Sequence, residues 1–223
     1  MAIMTGLSGN EIYCLHYKGL RPGNLVIGNS VCSMGLLGSM RAGLRTLAGG
    51  EVDRLTSVIH DGRQRSYERL VAEAKKDAGV GITGVSSELI FHGSNIEFLS
   101  IGSAVHAEAP GDLAFSSSAN GQELYCQLDC GFHPLKFVFG NVAYSIGVGG
   151  GIAGMIRSMR RGEVHEFSRI FNATRHRALE RITSEARAAG ANAVVGIRTS
   201  IIGCRERLPR ATHSKRRSST ARS

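Results

Sequence analysis

Apolar residues recur at helical spacing over Val52–Ala78: Val52, Leu55, Val58, Ile59, Tyr67, Leu70, Val71, Ala74 and Ala78 form one stripe. Arg63, Arg65, Arg69 and Lys76 fall mostly off it. This pattern predicts a long amphipathic helix buried through one face. Short apolar runs at Ile12–Tyr17 and Leu25–Val31 flank a Gly19…Pro22-Gly23 turn and read as two strands. Met34–Leu47 reads as a short helix interrupted by glycine. After the long helix come a buried strand over Gly81–Val85 and a last strand over Ile96–Val105. In that last strand Ile96, Phe98, Leu99, Ile101 and Val105 supply the apolar positions.

The same pattern returns in the second half of the chain. Gly9–Gly84 aligns with Gly121–Gly196 without a gap, with 23 identities in 76 positions. Composition alone would supply roughly 6% identity, against the 30% observed. The pairs include Glu11/Glu123, Cys14/Cys126, Pro22/Pro134, Gly28-Asn29/Gly140-Asn141 and Gly50-Glu51-Val52/Gly162-Glu163-Val164. In copy two the long helix carries Val164, Phe167, Ile170, Phe171, Ala178, Ile182 and Ala186, and Gly190 suits its C-terminal stop. A buried strand is expected over Ala193–Ile197. Copy two has no counterpart of Asn95–Val105. The reading is therefore an α+β tandem duplication, each copy packing a long helix on a small sheet. Copy one covers 1–106, a linker 107–120, copy two 121–204, and a disordered basic tail 205–223.

Charge refines this division. The net charge is +9. The tail holds seven basic residues against one acidic, a net of +6, so the rest of the chain is only mildly basic. Its Lys215-Arg216-Arg217 suits a weak, non-specific anionic partner, and no aromatic stacking residues accompany it. Glycine is high at 29 residues with no period of three, which excludes collagen and points to turns and close backbone approaches. Five cysteines without a secretory leader suggest a reducing, cytoplasmic setting.

The order of turns and strands, the Gly28-Asn29 pair, the Arg63…Tyr67-Glu68…Glu73-Ala74 helix and the segment Glu185–Ile197 together resemble the YbjQ family, whose label assigns heavy-metal binding. Copy one departs from it at Ala78–Gly84. The resemblance implies a dodecin-like, ring-forming α+β subunit that assembles as a pentamer or a multiple of five. It carries no catalytic residue set.

Candidate chemistry is sparse. Cys126, Cys130 and His133 offer two soft ligands and an imidazole for an unidentified transition metal. On the expected strand the two thiols stand about 13 Å apart, so a bend at Cys130-Gly131 is needed. Cysteine is also a common small core residue. Gly149–Gly154 matches G-x-G-x-x-G and would serve a nucleotide-dependent enzyme, but Arg169 stands where an acidic residue is wanted for the ribose. Phe137–Ile156 is an uninterrupted uncharged run, yet its six glycines fit strand plus helix better than a membrane span. Arg63, Arg65, Arg69 and Glu73 recur as Arg175, Arg177, Arg181 and Glu185. They are candidates for inter-subunit pairing that sets ring register, beside the plainer reading of a solvated helix face. The leading expectation is a non-enzymatic homo-oligomeric assembly protein, with metal binding or trafficking as the alternative.

Overall fold

A computed structural model describes residues 2–33, 50–92, 95–109, 111–145 and 165–202. The expected helix at Met34–Leu47, the Gly149–Gly154 loop and the tail 205–223 lie outside them.

Ile12–Tyr17 is not a strand. It belongs to α1, Gly9–His16, which Ser8 caps. The Ser8 hydroxyl accepts from the Glu11 N–H and the Glu11 carboxylate accepts from the Ser8 N–H, a reciprocal box that satisfies two orphan donors. Asn120 and Glu123 repeat this box on α3, Gly121–Asp129. The capping signal Ser8-x-x-Glu11 outranks the short apolar run behind it.

β1 (Leu20–Ser33), β3 (Gly81–His92) and β4 (Asn95–Ala107) form an antiparallel sheet with β4 central. Even-numbered β1 residues Val26, Gly28 and Ser30 are buried, whereas odd-numbered Ile27 and Val31 point away at 45% and 57% exposure. This period of two assigns one face to the core. α2, Asp53–Lys76, lies on that inner face. Two glycines make the approach possible: a Cβ on Gly28 would lie 1.8 Å from the Ser66 carbonyl oxygen, and one on Gly62 2.3 Å from the Phe98 ring. Leu70, Ala74, Ile82, Val26 and Ala104 close the core above them.

The 107–120 segment is partly incorporated. β5, Phe115–Ser116, pairs in parallel with Gly81 and Ile82 of β3. Its Ser116 N–H also donates to the Leu135 carbonyl, 3.2 Å away, so the segment stands between the two copies.

Copy two repeats the helix in register: α4 spans His165–Ala188, and its C-terminal end falls on the repeat equivalent of that of α2. Gly140 repeats Gly28, with the Ala178 carbonyl 2.3 Å from an added Cβ. The expected buried strand over Ala193–Ile197 does not form: these residues are irregular, with Val195 62% and Ile197 48% exposed. In copy one the matching β3 is held between β4 and β5. No described residue of copy two takes the place of β4, so neither Phe137–Ala143 nor Ala193–Ile197 has a central strand to pair with. A two-residue ladder, β2 (Gly50–Glu51) with β6 (Tyr144–Ser145), ties the start of α2 to copy two.

Candidate functional site

The most constrained polar geometry lies where copy two meets copy one. Residues 137–143 of copy two run along α2. The Asn141 side-chain amide donates to the Thr56 carbonyl and the Ala143 N–H donates to the Thr56 hydroxyl, each at 2.9 Å. Val52 donates its N–H to the Ala143 carbonyl at 2.9 Å. Phe139 is 4% exposed, lies 5.5 Å from the His60 ring and stacks with the Arg63 guanidinium 4.6 Å from its centroid. Phe137 packs on Tyr67, whose hydroxyl bonds Ser116 at 2.6 Å. Burial raises the Tyr67 hydroxyl pKa, and the Ser116 bond only partly offsets this. Arg63 is pushed down to about 10 by burial, with Glu185 opposing. Its Nε donates to the Ser87 hydroxyl at 3.0 Å. Asn141 Oδ1 is buried with no hydrogen-bond partner among the described residues. A second contact joins α1 to α3: Gly121 donates its N–H to Glu11, and Lys18 pairs with Asp129 at 2.8 Å.

The contact runs one way. α2 of copy one receives the strand-like segment of copy two. The reciprocal seat, β1 against α4, is not made among the described residues. Phe139 and Ile27 occupy equivalent repeat positions, and the difference between 4% and 45% exposure measures what the contact covers.

The recurrent charges hold their own copies. Glu73 accepts from the Ile27 N–H and Arg69 donates to the Asn29 carbonyl. Glu185 accepts from the Phe139 N–H and Arg181 donates to the Asn141 carbonyl, the same clamp at the equivalent positions of copy two. In copy one the clamp satisfies backbone groups on the open edge of β1, and in copy two it satisfies the equivalent groups of the irregular 137–143 segment. Glu185 also pairs with Lys136 at 2.8 Å. Arg65, Arg175 and Arg177 are exposed, and Arg63 is the member of the set that lies between copies.

Cys126 sits on α3 and Cys130 is its C-cap. Both are exposed free thiols one helical turn apart, and His133 follows on exposed chain. The helix removes the wide separation expected on a strand, because residues four apart share a face. Among the described residues no group of three or more His, Cys, Asp or Glu side chains forms a metal cluster. No described helix is long and apolar enough to cross a membrane.

Sequence reasoning missed the contact residues Thr56, His60, Phe137 and Phe139. The available signal was Phe137-x-Phe139 replacing Leu25-x-Ile27: copy two has two large rings where copy one has aliphatics.

These features define a duplicated α+β domain with an interlocked interface between its copies. The model of a family described as "Putative heavy-metal-binding" matches residues 15–108 and 132–207, and the chain belongs to that family, YbjQ. It is 34% identical over 207 residues to the encapsulin nanocompartment protein Rv1762c of Mycobacterium tuberculosis, covering 88% of this chain and 77% of that protein. It is also similar to UPF0145 proteins of Methanoregula boonei, 40% over 63 residues, and Paraburkholderia phymatum, 36% over 84 residues. Those alignments cover 28% and 37% of this chain, and 52% and 76% of the relatives.

Proposed function

We propose that this is a non-enzymatic, self-associating protein whose duplicated domain builds a closed ring in the cytoplasm. The carrying observation is the one-way contact at Phe139. A contact that joins different surfaces of equivalent units leaves one of each surface open, and repetition closes a ring or runs on as a filament. The relative from Mycobacterium tuberculosis is named for an encapsulin nanocompartment. That name supports assembly as the role here, with a place in or beside a protein shell. Family resemblance favours five or a multiple of five subunits. Light scattering and native mass spectrometry test the reading: a single multi-chain mass supports it, and a 23.8 kDa monomer at micromolar concentration overturns it.

A second reading is metal binding, favoured by the exposed Cys126 and Cys130 one turn apart. Two thiolates make half a tetrahedral site, so His133 or a second chain must supply the remainder. Stoichiometric zinc or copper in the purified protein, lost in Cys126→Ser, supports this reading. Metal-free protein that takes up neither ion opposes it.

A further inference from the structure

We propose that a second copy of this chain docks the outer face of its β1 onto α4, repeating the seat that residues 137–143 occupy on α2. The proposal rests on the assembly reading above and assigns its contact surfaces.

Both open halves follow from the internal contact. On α2 the receiving positions are Thr56, His60, Arg63 and Tyr67. Their counterparts on α4 are Ser168, Asn172, Arg175 and Leu179. Asn172 and Arg175 are exposed, and Ser168 and Leu179 are half-buried. On the inserting side Phe137, Phe139 and Ala143 correspond to Leu25, Ile27 and Val31. Ile27 and Val31 are 45% and 57% exposed on the outer face of the sheet. Leu99 and Ile101 of β4 lie half-buried on that same face. The helix that packs along the sheet, α2, lies on the opposite face, and α1 borders Leu20, Arg21 and Pro22 at the start of β1.

Polar chemistry is repeated between the two seats. The Thr56 hydroxyl accepts from the Ala143 N–H, and Ser168 offers the same hydroxyl for Val31. Asn29 matches Asn141, whose amide donates to the helix carbonyl at Thr56; the Asn29 amide donates to Glu97 of β4 and has its second N–H for the docked helix. The edge clamp is present on both inserting segments, so Ile27 can dock without exposing backbone groups. Arg175 matches Arg63, with the aliphatic Ile27 in place of Phe139 beneath it. The missing ring removes the cation–π component and leaves apolar contact with the arginine stem. The contact between chains is accordingly weaker than the one within a chain.

This arrangement places unlike copies side by side in one ring. A ring closed by this contact holds an even number of domains, two per chain. It differs from a double ring with five like copies in each layer, where neighbours around the ring are identical.

The test uses two full-length variants and their mixture. Ile27→Lys blocks the inserting face by setting a cation against Arg175, and Asn172→Lys with Arg175→Lys blocks the receiving face without giving the lysine introduced on β1 an anionic partner. All three positions are exposed, and circular dichroism with thermal melts confirms folding. Each variant alone should lose self-association by at least about thirtyfold. Mixed in equal amounts, they retain one intact pair of faces and should form a two-chain species and nothing larger. Val31→Lys should reproduce Ile27→Lys if the latter perturbs β1. A wild-type monomer defeats the assembly reading itself. A wild-type oligomer that the variants do not disrupt defeats only this contact. Disruption without recovery on mixing shows a self-complementary interface and also overturns the proposal.

Discussion

Gly28→Ala places a methyl group where α2 crosses β1. The added Cβ would stand 1.8 Å from the Ser66 carbonyl oxygen and 2.5 Å from the Leu70 nitrogen. Both obstacles are backbone, so no side-chain rotation relieves them. Ordinary contact returns only if the helix retreats by roughly 1.5 Å, which loosens the packing around Leu70 and Val26. Overpacking of this kind costs about 1–3 kcal/mol, and a backbone clash belongs at the upper end. Replacing glycine recovers about 0.4–1 kcal/mol of unfolded-chain entropy. The expected net loss is about 2–3 kcal/mol, or roughly 4–12 °C in thermal midpoint for a chain of this size. Gly140→Ala should behave alike but less severely, because its nearest atom is the Ala178 carbonyl at 2.3 Å. Gly9→Ala supplies the control: nothing lies within 4 Å of its added Cβ, and it begins a helix. It should be neutral or stabilise by up to about 1 kcal/mol. Guanidinium denaturation with an unchanged slope reads all three. A loss below about 1 kcal/mol for Gly28→Ala, or an equal loss for Gly9→Ala, would refute the argument that helix–strand approach sets these glycines.

Phe139→Ala should cost about 3–5 kcal/mol in the same denaturation, since it empties a buried site shared by both copies and removes the ring under Arg63; a loss under about 1 kcal/mol would mean the copies do not pack through it. Asp77 is subject to burial, which raises its carboxyl pKa, but the Asn24 amides and His106 outweigh this and hold it below the ordinary value. Its stabilisation is therefore present above the unfolded carboxyl pKa near 4 and is lost as pH falls through the lower folded value. Asp77→Asn should cost about 1–2 kcal/mol at pH 7, with the gap to wild type narrowing under more acid conditions, as measured by urea melts at several pH values. Thiol titration of the native protein should modify exposed Cys126 and Cys130 before the half-buried Cys14 and Cys32; the reverse order would show that another surface covers α3.

The tandem duplication is legible in the chain because it survives as identities at one fixed shift, independent of any contact. The long helices are legible because a 3.6-residue period repeats over many turns, and their C-terminal ends agree at that same shift. α1 reads as a strand because so short a run carries too little period to separate helix from strand, although Ser8 and Glu11 spell out its cap. The Ala193–Ile197 segment has a strand's composition, but a strand needs a neighbour for its ladder, and composition does not say whether one is present. The charge clamps are visible in sequence as recurrent residues, a pattern that suits pairing between subunits equally well. Only the fold shows Glu73 and Glu185 against backbone N–H groups of their own copies. The seat of Phe139 on α2 is invisible in the sequence for a related reason: its partners Thr56, His60 and Arg63 belong to the other copy, far away along the chain. Periodicity records which face of an element is apolar, whereas the choice of the surface that covers it belongs to the packed chain.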